Sequence, residues 1–137
     1  MKIYLSGYLS QKNYLWDKIK EIKYWLNVFS ELSNKKNLEN ELSLVKDMLL
    51  DSGWYSIRVK WLKLNIYDYV NYIKKYWDWY ECIVNMDTAN VEETLKNQEI
   101  LEKETGKYIM PVYHASDYFE WNKQLLHDYC RKYKYIW

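Results

Sequence analysis

Met48-Leu49-Leu50-Asp51-Ser52-Gly53 is the stretch on which the reading of this chain turns. Three apolar residues are followed at once by an acid, a hydroxyl and a glycine. A short apolar run closed by turn-forming residues reads as a buried strand rather than a helix. The same pattern recurs on both sides. Lys2 to Leu5 is a candidate first strand, followed by Ser6 and Gly7. Cys82 to Val84 is a third, closed by Asn85, Met86 and Asp87. Tyr108 to Val112 is a fourth, with His114 just beyond it, and Tyr133 to Trp137 begins a fifth. Pro111 inside the fourth removes one ladder donor, which predicts an edge position or a bulge.

Helical patterns lie between these runs. Leu15, Ile19, Ile22, Leu26 and Phe29 are spaced by four and three, one face of an amphipathic helix. After the polar break from Ser33 to Asn37, Leu38, Leu42 and Val45 form a shorter stripe. From Tyr55 the pattern alternates, Ile57, Val59 and Trp61 against Ser56, Arg58 and Lys60, which predicts an extended arm or hairpin over residues 54–64. Asn65 caps a helix whose inner face is Tyr69, Val70, Ile73 and Trp77. Asn90 followed by Glu93 starts another, running through Leu95 and Leu101 to Gly106, a natural left-handed C-cap. Asp117 with Glu120 opens a last one, carrying Trp121, Leu125 and Leu126. Strand and helix in alternation imply right-handed crossovers and a mainly parallel sheet. The expectation is a single α/β domain over residues 1–137, with enough units for a doubly wound sheet or half of a (β/α)8 barrel.

Composition narrows the function classes. Hydrophobic residues make up 49% of the 137, enough for a folded core. A formal net charge of +1 gives no global support for duplex binding through phosphate neutralisation. Cys82 and Cys130 are far apart and read as buried, reduced thiols. No Cys/His cluster suggests a metal, and no cofactor is expected. With 3 glycines the chain has neither a dinucleotide fingerprint nor a Walker A loop, and no GxSxG elbow occurs. Met1 to Ser10 is too short and polar for a signal peptide, and no apolar run approaches a membrane span. A cytoplasmic protein with no membrane association is expected.

In parallel α/β folds the residues after each strand converge on one mouth, where ligands bind. Asp51, Ser52, Gly53, Asp87 and His114 are therefore candidate ligand-binding residues, with Trp54 and Tyr55 beside them. Asp51 and Asp87 are the candidate catalytic pair, able to act as acid and base or to read a base edge. Each has a structural alternative: an acid after a strand also caps helices, and a histidine also fills hydrogen bonds in a core. Ser52, Asp87 and His114 have no triad-like spacing. His127 reads as a surface residue, and the Tyr/Trp run from Tyr67 to Tyr80 as packing. The arm offers Trp54, Tyr55, Arg58, Lys60 and Trp61 as partner-binding residues, because interface hot spots favour Trp, Tyr and Arg.

The motifs, taken together, resemble a known family. MLLDSG resembles the LLDSGAF-type segment of the tRNA-guanine transglycosylase superfamily, above all its phage-type members linked to deazaguanine chemistry on DNA or RNA. Val84-Asn85-Met86-Asp87 is similar to the family's next strand. Leu101 to Lys107, then Ile109-Met110-Pro111-Val112-Tyr113-His114, resembles its "LE-x-x-TGK…IPV-[WY]-H" stretch. The resemblance implies half of a TIM-barrel-like sheet flanked by helices. It places Asp51 at a purine-binding mouth, Asp87 against the base edge and His114 near the base pocket. The chain departs from the family where Trp54 and Tyr55 follow Ser-Gly. It also lacks the Gly-rich turn, the nucleophilic aspartate and the zinc site of the family's later strands. A truncated N-terminal half that does not perform the exchange reaction is expected, since a covalent intermediate needs that nucleophile.

Three functional expectations follow. The first is a domain that binds a nucleobase, a nucleotide or a nucleic acid, in the host cytoplasm if phage-encoded, as a device against host defence. The second is a minimal base-processing enzyme using Asp51 or Asp87. The third is an anti-CRISPR-like inhibitor that binds a host defence protein, such as a nuclease, through the aromatic arm 54–64. An open sheet edge at Tyr133 to Trp137 suggests a homodimer.

Overall fold

The computed structural model describes residues 4–6, 24–32, 39, 47–60, 64–114 and 123–137. Four strands, β1 (Leu5–Ser6), β2 (Trp25–Val28), β3 (Met48–Asp51) and β4 (Tyr80–Ile83), form one sheet. Every neighbouring pair is parallel, and spatial order follows chain order: Leu5 faces Trp25, Leu26 faces Leu49, and Leu50 faces Ile83. The helices are α1 (Phe29–Leu32), α2 (Trp54–Lys60), α3 (Ile66–Tyr76), α4 (Val91–Thr105) and α5 (Lys123–Lys132), with a 3-10 turn at Trp77–Trp79. The fold is α/β, a parallel sheet flanked by helices. Among the described residues no helix is long and apolar enough to cross a membrane.

The sheet extends past β4 by single steps. Val84 bridges Met110 in parallel. Met110 gives both its N–H and its carbonyl to the β4 side, bonding Ile83 and Asn85. Alternation then turns Pro111 to the far side, where its carbonyl accepts from the Trp137 N–H while Tyr113 donates to the Trp137 carbonyl. Pro111 thus sits beside one short contact rather than in a full ladder. The hydroxyl of Tyr108 occupies the gap in this ladder, accepting from the Tyr135 N–H and donating to the Tyr135 carbonyl. The expected strand from Tyr108 to Val112 is correspondingly reduced to a bridge.

Alternation divides the core between two faces. Met48, Leu50, Tyr80 and Ile83 pack with Tyr69, Val70 and Ile73 of α3 and Leu101 of α4. Each such side chain, fully buried, contributes roughly 1.5–3 kcal/mol. Three of the buried tyrosine hydroxyls in this cluster are paired: Tyr69 donates to the Val84 carbonyl at 2.9 Å, and Tyr72 and Tyr80 share a hydrogen bond of 2.7 Å. Leu49, Val84, Met110 and Val112 form a second cluster on the opposite face.

Three local expectations are corrected. The helix read from Leu15 to Phe29 gives way to a strand at Trp25–Val28, with Trp25 and Asn27 buried and their neighbours half-buried. Leu26 and Phe29 fit a helical stripe, but they equally fit a strand end followed by a helical turn, and pairing with β1 and β3 decides. Residues 15–23 and the stripe at Leu42 and Val45 lie outside the described residues. The arm is not extended: Trp54–Lys60 is helical. Parallel neighbours β3 and β4 need a long crossover, and helices are its usual form. Trp61 lies outside the described residues, as does the start of the last helix at Asp117. Finally, Cys130 is exposed on α5 rather than buried, whereas Cys82 is half-buried, and both are free. The buried side of α5 is that of Tyr129.

Helix ends behave as their caps dictate. Asn65 accepts from the Tyr67 N–H and Asn90 from the Glu93 N–H. Gly106, at φ 65°, closes α4 by donating to the Glu102 carbonyl.

Candidate functional site

Asp51 is the last residue of β3, not the first beyond it, and pairs with Val28. It shares the parity of Leu49, so it lies on the face opposite α3 and α4. Ser52 and Gly53 hydrogen-bond its carboxylate through their backbone, yet burial pushes its pKa up, and the nearby charge of Asp87 pushes the same way.

Asp87 is fixed by the loop between β4 and α4, which its own side chains hold together. Asn85 donates to the Thr94 carbonyl and Asn97 to the Met86 carbonyl. The Thr94 hydroxyl accepts from the Thr88 N–H at 2.8 Å. Backbone polar groups that would be unpaired in an irregular loop are thereby satisfied. The loop delivers Asp87, 8% exposed, to His114, whose Nε2 lies 2.8 Å from Asp87 Oδ2. Burial raises the Asp87 pKa, and the charge and hydrogen bond of His114 oppose that rise. Tyr69 completes the surroundings. Its hydroxyl is held on Val84, and its pKa is raised well above the usual value, first by burial and next by the charges of Asp51 and Asp87.

Three residues separated in sequence by 36 and 27 positions are thus brought to one end of the sheet. Burial favours the protonated form of both carboxyls, and the hydrogen-bonded Asp87–His114 pair can exchange a proton. Donor and acceptor side by side suit the edge of an amide-containing heterocycle or a proton transfer.

The other sequence candidates divide. The Ser52 hydroxyl is completely buried and has no hydrogen-bond partner, so the Asp87–His114 pair has no serine nucleophile at Ser52. Gly53, at φ 81°, does make a close backbone approach, but to Ser30 and Val28 of this chain, where a Cβ would collide. Trp54 lines a groove of about 560 Å³ beside the loop, with Met86, Thr88 and Asn97. Tyr55 is not part of that wall and is 76% exposed. Arg58 and Lys60 belong to α2, which turns the predicted arm into a helix.

Tyr69 and the supporting Asn85, Thr94 and Asn97 escape a reading by sequence alone. The polar run Asn85 to Thr88 signals a loop, but nothing in the spacing of Thr94 and Asn97 distinguishes them from ordinary helix positions. Among the described residues no group of three or more His, Cys, Asp or Glu could hold a metal ion. Comparison with family models, curated proteins and solved structures finds no match.

Proposed function

We propose that the mouth formed by Asp51, Asp87 and His114 binds a nucleobase or nucleotide, on a scaffold related to the N-terminal half of the phage-type transglycosylase barrel. The observation that carries the reading is the gathering of these three residues, with Asp87 and His114 in direct contact at 2.8 Å. Two further features support it. Strand order follows chain order without a reversal, as in a barrel and unlike a doubly wound sheet. The residues gathered are also those that the family resemblance assigns to base recognition. Two carboxyls and an imidazole gathered in one cluster offer hydrogen-bond donors and acceptors to a purine-type edge. In a phage setting such a domain would sequester a nucleotide used in host defence.

Thermal shift against guanine, 7-deazaguanines, mononucleotides and cyclic nucleotides tests this. A ligand at about a hundredfold its Kd stabilises the native state by roughly 2.7 kcal/mol. The shift is expected in the wild type and lost in Asp87→Ala; no shift with any of these compounds would sink the reading.

A second reading rests on α2. Tyr55 and Val59, four residues apart on one helical face, are 76% and 58% exposed. That pair suits docking to a host defence protein. Replacing both by alanine would then abolish the anti-defence effect in cells while Asp87→Ala leaves it intact.

A further inference from the structure

The last residues of the chain, Arg131-Lys132-Tyr133-Lys134-Tyr135-Ile136-Trp137, alternate cations with aromatic rings and contain no acidic side chain. The structure lays this segment along the edge of the sheet. Its backbone is tied at two points, Tyr135 to the Tyr108 hydroxyl and Trp137 to Pro111 and Tyr113. The rings are nevertheless left in solvent: Tyr135 is 54% exposed, Trp137 50% and Tyr108 40%. Three of the six large hydrophobic residues recorded as exposed among the described residues therefore lie on this one edge.

The segment also forms one wall of a groove of about 680 Å³, whose apolar floor is Leu49, Cys82 and Met110. Lys134 stands on that wall, 5.1 Å from the Tyr135 ring centre. Lys107, next to Tyr108 in sequence, lies over the Trp77 ring at 4.6 Å. Lys132 is engaged by Glu102 at 3.2 Å, and Glu81, which also lines the groove, accepts from Tyr4. The segment itself carries three cations, Arg131, Lys132 and Lys134, and no acidic side chain, although the whole chain is almost neutral. Fixed backbone, exposed rings and flanking cations are what a stacking platform for unpaired bases requires.

We propose that this edge binds single-stranded nucleic acid, with Tyr135 and Trp137 stacking on successive bases and Lys107, Arg131 and Lys134 meeting the phosphates. Duplex is disfavoured because its bases are already stacked and their faces are closed to the rings. The lining of the groove includes none of Asp51, Asp87 and His114, and the proposal does not depend on the base-binding reading.

Fluorescence anisotropy with labelled single-stranded DNA and RNA 12-mers, and with the matching duplex, tests the proposal on the intact chain. Single strands are expected to bind more tightly than duplex. Tyr135→Ala and Trp137→Ala should each weaken binding by about five- to a hundredfold, the range for loss of one stacked base. Trp137→Phe, which keeps a ring, should retain most of it. The logarithm of the binding constant should fall with the logarithm of salt concentration with a slope of about −2, and Lys134→Ala should reduce that slope by about 0.7. Absence of single-strand binding at low salt, equal affinity for duplex, or indifference to both alanine replacements would each overturn the proposal. So would loss of binding in Asp87→Ala with the aromatic variants intact, since the oligonucleotide would then sit in the mouth.

Discussion

Asp51 shows how position outweighs residue type. Two backbone N–H groups favour its charged form, yet burial and the neighbouring Asp87 outweigh them and raise its pKa from the ordinary 3.8. The native state therefore binds this proton more tightly than the unfolded chain does. The stability gained is complete below the ordinary carboxylate range and is lost as pH rises through the native pKa. Asp51→Asn cannot ionise, so it is expected to melt at a higher temperature than the wild type near pH 7. The difference should shrink as pH falls towards 4, and melting curves across that range check it. A difference independent of pH would show that charge at Asp51 is not what burial penalises. At Asp87 burial likewise raises the pKa, with the charge and hydrogen bond of His114 opposing that rise.

Among the elements, the β3–α2 turn and the end of α4 each depend on a glycine, for different reasons. Gly106 needs only its left-handed φ, since nothing lies within 4 Å of where a Cβ would stand. Gly53 needs both its φ of 81° and the absence of a side chain, because Ser30 and Val28 fill that space. Gly106→Ala should cost about 1–2 kcal/mol, the conformational term alone. Gly53→Ala adds overpacking of roughly 1–3 kcal/mol, and so should cost about 2–5 kcal/mol. Denaturant unfolding of the two variants measures the gap, and equal losses would refute the steric account. The glycine after MLLDS was legible as a turn, but the object it approaches was not, because Ser30 and Val28 come from another part of the chain.

For the whole molecule, the central position of β3 has a dynamic consequence. It is hydrogen-bonded on both sides, to β2 and β4, and Met48, Leu49 and Leu50 are at most 4% exposed. Its amides should exchange with solvent only through global unfolding, whereas those of α2, a short helix exposed at Tyr55 and Val59, should exchange through local opening. Hydrogen-exchange mass spectrometry would separate the two, and equal protection would contradict a sheet-centred core.

The sequence alone determined much of the chain's local structure. Periodicity and caps located α3 and α4, Asn65, Asn90 and Gly106 being local signals that act within a few residues. Short apolar runs located β3 and β4 and the polar residues beyond them, and hence the candidates Asp51, Asp87 and His114. Strand–helix alternation implied a parallel α/β sheet. Only the tertiary structure decided the rest. It made Trp25–Val28 a strand, since pairing with β1 and β3 overrides an ambiguous spacing. It made residues 54–60 a helix, since a parallel crossover had to be built there. It buried Ser52 and set Gly53 against Ser30. It also joined Asp87 to His114 across 27 residues and left the Tyr135 and Trp137 rings exposed on the sheet edge. Local patterns report which side chains favour burial or a cap; which distant partner each one meets depends on strand order and register, and these arise only when the whole sheet is assembled.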